Sequence, residues 1–214
     1  MVRILITAGP TRQYLDPVRF MTNASSGRMG RALAEAALEL GHEVVVVSGP
    51  VEIVYSEGAE LRHVVSTEEM LAVCRAEFPR CDGLIGAAAP CDYRPIRVHP
   101  QKITKTGEPL ELHLIETDDI VATLGREKTH QWLVGFALET EDHRLRALAK
   151  LEKKSCDLMV SNGVEAMHSL DNTVEIIDRE GHVVGASFGR KEEVARDILR
   201  VIQQRLISRR GEAT

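Results

Sequence analysis

The stretch Ile4-Leu5-Ile6-Thr7-Ala8-Gly9-Pro10-Thr11-Arg12, continued by Asp16-Pro17-Val18-Arg19 and closed by Asn23-Ala24-Ser25-Ser26-Gly27-Arg28-Met29-Gly30, decides the fold. Ile4 to Thr7 is a short apolar run with the character of a buried strand. An amphipathic helix opens at Ser25-Ser26-Gly27, because Ala32, Leu33, Ala36, Ala37 and Leu40 recur at helical spacing and Gly41 stops them. The polar connection between the two carries Arg12, Asp16, Arg19 and Asn23 and far exceeds the ~2 to 6 residues usual in α/β units. Connections this long are functional or disordered, and two prolines and several small residues predict a shaped one.

Strands and helices alternate down the rest of the chain. Residues 43–48 hold four consecutive valines, which suits a parallel strand covered on both faces. Residues 61–65 predict a third strand, and Thr67 predicts the cap of a helix bearing Met70, Leu71 and Cys74. Residues 82–88 form a fourth apolar strand, followed by a second long loop, from Ala89 to about Glu108, with Lys102 and Lys105 in it. Residues 110–115 alternate as a strand with one buried face would. Thr117-Asp118-Asp119 predicts the next helix cap, with acidic residues where the helix dipole favours them. A strand over 132–136, a helix over 141–155 and a strand over 157–161 follow. Residues 173–178 and 182–187 flank Arg179-Glu180-Gly181 as a hairpin, and a last helix spans 191–208. The expected fold is α/β: a Rossmann-like, doubly wound, mainly parallel sheet with antiparallel additions near the C-terminus. One domain covers residues 1–208, and residues 209–214 are expected to be a disordered tail.

The net charge of −5 over 214 residues argues against a general nucleic-acid footprint. Cys74, Cys81, Cys91 and Cys156 form no C-x-x-C pair and read as reduced thiols of a cytoplasmic protein. No apolar run approaches the ~20 residues that span a membrane, and the N-terminus enters a strand without a signal peptide.

In Rossmann order the first and fourth strands are neighbours at the switch point, where ligands bind, and these are the strands with long loops after them. Ser25-Ser26-Gly27 at a helix start is either a phosphate cradle or a plain N-cap. Lys150 and Lys154 share a helix face, as an anion site or as a solvated basic face, and Lys153 beside them favours the latter. Asp92 is either a partner for ribose hydroxyls or a turn aspartate. Asp118 and Asp119 are caps or magnesium-related carboxylates. Cys91 has no adjacent histidine and is not read as a nucleophile. A nicotinamide-dependent reductase is disfavoured, since the second strand ends Val47-Ser48-Gly49-Pro50 without an acidic residue and no tyrosine has a lysine four residues on. The P-loop motif is absent.

Taken together, Ile6-Thr7-Ala8-Gly9-Pro10-Thr11-Arg12, Asp16-Pro17-Val18-Arg19 and Asn23-x-Ser25-Ser26-Gly27-x-Met29-Gly30 resemble the opening of the phosphopantothenoylcysteine synthetases. The similarity continues through Ala87-Ala88-Ala89-x-x-Asp92-Tyr93-Arg94-Pro95, Lys102-Ile103-x-Lys105, Asp119-Ile120-Val121, Gly135-Phe136-Ala137-x-Glu139-Thr140, Lys150-x-x-x-Lys154, Asp157-Leu158-x-x-x-Asn162 and Asp171-Asn172-x-Val174. The resemblance implies a ligase of coenzyme A synthesis that activates 4′-phosphopantothenate with CTP and couples the acyl cytidylate to L-cysteine. It implies Mg²⁺ with the CTP, a homodimer, and a stand-alone synthetase without FMN whose product passes to a separate phosphopantothenoylcysteine decarboxylase.

By the same resemblance Asn23 contacts the acyl intermediate and Lys102 serves nucleotide binding and activation. Ala88, Ala89, Asp92, Asp118, Asp119, Ile120, Val121, Phe136, Lys150 and Lys154 fall on nucleotide-binding positions. Arg19, Ser25, Ser26 and Gly27 lie beside the reacting groups. Thr104, Asp118 and Pro90-Cys91 depart from the family pattern at positions that bear on nucleotide contacts.

Overall fold

Strand β1 (Arg3–Ala8) divides the interior in two, because its side chains alternate between the faces of a sheet. Ile4, Ile6 and Ala8 enter one apolar cluster, and Leu5 enters the other. The first cluster lies under α1 (Arg28–Glu39) and α5 (Lys191–Ile202). The second lies under α2 (Thr67–Glu77), α3 (Ile120–Glu127) and α4 (His143–Lys153). Helices on both faces explain why β4 (Glu43–Ser48) is valine on every side: Val44 and Val46 serve one core, Val45 and Val47 the other. Full burial of each such side chain contributes roughly 1.5–3 kcal/mol. The computed structural model describes residues 1–138, 143–162 and 172–208.

The eight-stranded sheet has the order β12-β11-β10-β9-β6-β1-β4-β5. Its parallel part comprises β5 (Ala59–His63), β4, β1, β6 (Gly83–Gly86), β9 (Trp132–Leu138) and β10 (Leu158–Asn162). Counted along the chain these are strands 3-2-1-4-5-6, the Rossmann order, with the switch point between β1 and its neighbour β6. The hairpin β11 (Asn172–Asp178) and β12 (Val183–Gly189) adds two antiparallel strands. The expected fold class therefore stands.

Two small hairpin-like sheets sit off the main one. β2 (Arg12–Tyr14) pairs with β3 (Phe20–Thr22) inside the long β1–α1 connection, and β7 (Tyr93–Pro95) pairs with β8 (Leu114–Glu116). The first long loop is thus structured, with the Arg12 guanidinium over the Phe20 ring at 4.5 Å.

Several sequence expectations are corrected. The third strand lies two residues earlier than 61–65, at the sheet edge, where Glu60 and His63 are exposed, no side chain is fully buried and the apolar signal is weak. Ser66, not Thr67, caps α2: its Oγ accepts from Glu69 N–H, while the Thr67 hydroxyl turns inward to Thr11 and to the Cys91 carbonyl. The alternating stretch 110–115 is strand only from Leu114, and Leu110, Leu112 and Leu114 are exposed, so its apolar face meets no core formed by the described residues. The last helix passes into a π-helical turn over Gln203–Ile207. The predicted tail 209–214, together with Glu139, Thr140 and Asp171, lies outside the described residues.

Gly49, directly after β4, lets the site loop leave β1. Its N–H donates to the Ala8 carbonyl, and a Cβ here would lie 1.7 Å from the Pro10 carbonyl oxygen. Backbone cannot swing away as a side chain can. Gly49→Ala is therefore expected to destabilise the protein by about 1–3 kcal/mol, in the range of overpacking. An unchanged midpoint in urea unfolding would refute this.

Candidate active site at the β1–β6 switch point

The C-terminal ends of β1, β6 and β9 open into a cavity of about 310 Å³. Thr7, Gly86, Gly135 and Phe136 form its floor, Ala88 to Tyr93 in part its near wall, and Glu116 to Val121 its far wall. Lys153 and Lys154, at the end of α4, complete it. Gly86 is needed here, since a Cβ would stand 2.6 Å from Val121 Cγ2 and push α3 away. The two strand-following loops meet over the site: Pro10 bridges to Ala89 in parallel, and Ala89 N–H donates to the Gly9 carbonyl.

Asp119 caps α3 through Ala122 N–H and pairs with Lys154 at 3.0 Å. Burial alone would push its carboxyl up, but that N–H and the lysine outweigh burial and hold it below the usual range. Thr117 donates through its hydroxyl to the Cys91 carbonyl and through its N–H to the Asp92 carbonyl, which ties the two walls together. Asp92, Glu116 and Asp118 face solvent around the rim. Burial pushes the Cys91 thiol up, and its Sγ is spent on the Thr11 and Met21 carbonyls, so it stays a neutral wall residue.

The long β1–α1 loop reaches the rim at Asn23. Its Nδ2 donates to the Pro90 carbonyl at 2.8 Å and to the Ala89 carbonyl at 3.3 Å. Since both partners are carbonyls, the nitrogen faces them and Oδ1 is left outward. Neither Ser25 nor Ser26 caps α1: Gly27 does, in the left-handed conformation at φ 73°, with no side-chain bond to the helix start. Among the described residues Ser25 Oγ accepts from Gly27 N–H, at 3.4 Å.

Asp16 holds this loop in shape. Its side chain is fully buried. Oδ1 accepts from Val18 and Arg19 N–H, and Oδ2 accepts from Ile103 N–H and Arg19 Nη1. Burial would raise its pKa, but the three backbone donors and the Arg19 charge hold it below the usual carboxylate range. A depressed pKa makes this contribution to stability complete above about 3.9, the unfolded value, and lost only as pH falls through the folded value.

The structure thus gathers Ala88, Asp92, Asp118, Asp119, Ile120, Val121, Phe136 and Lys154 around one cavity, with Ala89 and Asn23 tied to its wall. Arg19 belongs instead to a second cavity of about 560 Å³, lined also by Ile103 to Leu110. Lys102 is exposed and lines neither. Lys150 is also outside the first cavity, whereas Lys153, read from sequence as a sign of a solvated face, lines it. The helix ends at Lys153, so face spacing no longer locates Lys154. Glu116 and Asp16 have no role assigned from sequence, and Thr117, read there as part of a helix cap, instead ties the two walls together. Asp16-Pro17 carries the one usable signal, an Asx-turn dipeptide.

The strand order and the polar cavity at the switch point define a Rossmann-type α/β protein, with the cavity where such sheets take their ligands. Residues 1–206 match the family model described as DNA/pantothenate metabolism flavoprotein C-terminal domain, and the chain belongs to that family. It is 41% identical over 204 residues to the coenzyme A biosynthesis bifunctional protein CoaBC of Bacillus subtilis, covering 93% of this chain and 50% of that protein. It is 40% identical over 206 residues to a cysteine/cysteine sulfinic acid decarboxylase from an unknown prokaryotic organism, covering 94% of this chain and 57% of that protein. The chain therefore spans roughly half the length of these curated relatives. The crystal structure of the C-terminal domain of a CoaBC superposes with a TM-score of 0.84 at 40% identity, covering 96% of this chain and 95% of that one. Among the described residues no helix is long and apolar enough to cross a membrane.

Proposed function

We propose that this chain is a phosphopantothenate–cysteine ligase. CTP occupies the switch-point cavity, and the 4′-phosphopantothenate carboxylate meets its α-phosphate near Asn23. The observation that supports this reading is the bond from Asn23 Nδ2 to the Pro90 carbonyl, which ties the loop proposed to meet the acyl group to the wall of the cavity. In the first step a carboxylate oxygen attacks the α-phosphorus and pyrophosphate leaves. In the second the cysteine amine attacks the acyl carbonyl, CMP leaves with the bonding electron pair, and the amine loses a proton. No protein nucleophile is required, in keeping with the neutral, engaged Cys91.

Asp92, Glu116 and Asp118 offer the hard oxygen donors that Mg²⁺ prefers. They are not gathered as a cage: among the described residues the one close three-carboxylate-or-histidine group is Asp178, Glu180 and His182, which does not line the cavity. The residues therefore fit a triphosphate-borne Mg²⁺ held through one or two carboxylates, where it would neutralise phosphate charge. The exposed Leu110, Leu112 and Leu114 support the homodimer reading, with a second copy covering them. The product would be the substrate of a phosphopantothenoylcysteine decarboxylase.

The deciding experiment incubates the protein with phosphopantothenate, cysteine, Mg²⁺ and either CTP or ATP, and follows pyrophosphate and amide product. Turnover with CTP is expected; none with either nucleotide refutes the ligase. Lys154→Gln removes a charged partner from the cavity, an interaction class worth about 1.5–3 kcal/mol. CTP is accordingly expected to bind about 10- to 100-fold more weakly by calorimetric titration. Unchanged affinity would remove Lys154 from the nucleotide site.

A further inference from the structure

We infer that Asp16 is a positioning residue, which with Arg19 clasps the backbone of Ile103 and thereby sets the place of Lys102. The inference rests on the ligase reading only for what Lys102 does; the clasp itself stands on hydrogen bonds. The two oxygens of Asp16 divide their work. Oδ1 shapes a local turn through Val18 and Arg19 N–H. Oδ2 reaches 87 residues along the chain to Ile103 N–H, at 3.1 Å. Arg19 Nη1 joins the two sides, donating to Asp16 Oδ2 and to the Ile103 carbonyl, each at 3.0 Å. Both polar groups of the Ile103 backbone are thus held by one ion pair, of which Asp16 is buried and Arg19 partly exposed.

A local turn needs only the first oxygen, so the second is there for the loop. Between Arg97 and His113 that loop contains no helix or strand and most of it is exposed. It is also stitched at His99, whose N–H donates to the Leu15 carbonyl. Lys102 is the residue before Ile103, so its Cα sits about 3.8 Å from the clasped one. A flexible lysine on an irregular loop gains a defined origin in this way, while its side chain stays exposed.

Asp16→Asn separates the two tasks. Asparagine keeps an oxygen for the turn, at which it serves as well as aspartate. Its amide then presents donors to the Ile103 N–H and to Arg19, and the clasp opens. Pyrophosphate release at saturating CTP is expected to fall about 10²-fold, the scale of a misplaced group. The KM for CTP should hold, because neither Asp16 nor Ile103 lines the nucleotide cavity. In a Lys102→Gln background the same change should add nothing, as for residues acting through one another. Amide hydrogen exchange at Ile103 should lose protection while Val18 and Arg19 keep theirs.

Equal fold-losses in both backgrounds, or a raised KM for CTP with an unchanged maximal rate, would overturn the positioning role. Retained protection at Ile103 would overturn the clasp and leave the ligase reading untouched. Conversely, native protein that releases no pyrophosphate would sink the ligase reading and this role with it. Should Asp16→Asn not fold, Ile103→Pro removes the same donor from the loop side and must give the same kinetic pattern, a fall in maximal rate with the KM for CTP held.

Discussion

Lys102→Gln is expected to lower pyrophosphate release by about 10²- to 10³-fold, the cost of removing one group that stabilises transition-state charge. The reason lies in the balance of charge around the proposed nucleotide. Activation brings a carboxylate against a phosphate, two anions that repel. The cavity supplies Lys153 and Lys154, but the carboxylates of Asp92, Glu116, Asp118 and Asp119 line it too, and one of the lysines is already paired with Asp119. Its protein walls therefore carry no excess of positive charge. Beside the Mg²⁺ proposed with the triphosphate, a protein cation that favours attack would come from beyond these walls, and Lys102 is the residue that both the family resemblance and the Asp16 clasp single out. Since Lys102 does not line the cavity, the KM for CTP should change little while the maximal rate collapses. Quenched-flow measurement of pyrophosphate in a single turnover tests this, and a native rate would take Lys102 out of the mechanism.

The fold was legible because its central strands carry their signal locally. Four valines in a row leave little but a strand between two helical layers, and β4 was placed to the residue. Edge elements were read less well, since one face of β5 is wet and its apolar pattern is weak. The alternation at 110–115 is real, yet it misled, because alternation says that a face is apolar and not that this chain covers it. Ser66 and Thr67 are equivalent as caps in sequence. Only the distant Thr11 and the Cys91 carbonyl decide which hydroxyl is free for the helix.

The site divides in the same way. Asp119, Ile120, Val121 and Phe136, which the family resemblance assigns to the nucleotide, line the one switch-point cavity because strand ends and helix starts converge there by topology. Asp16 was invisible as a hub, since its decisive partner lies in another loop. Lys153 reads in sequence as a sign of a solvated basic face, yet it lines the cavity where the helix ends and Ser155 turns the chain at φ 53°.

Asn23→Asp is expected to release pyrophosphate and then stall, with the acyl cytidylate accumulating and no amide formed. In the folded protein the Asn23 amide donates strongly to the Pro90 carbonyl and more weakly, at 3.3 Å, to the Ala89 carbonyl. The weaker bond is the one that an oxyanion can replace: one N–H stays anchored to the wall while the other turns to the acyl oxygen as charge grows on it. An aspartate loses both donors and sets a carboxylate against two carbonyl oxygens and a developing oxyanion. The amine-transfer step should therefore slow by about 10²- to 10³-fold. Activation, which needs positive charge rather than this donor, should keep most of its rate. Nucleotide labelled at the α-phosphate, followed through a quenched single turnover, distinguishes the two steps. Amide product at the native rate would remove Asn23 from the second step, and loss of the pyrophosphate burst would assign it to the first.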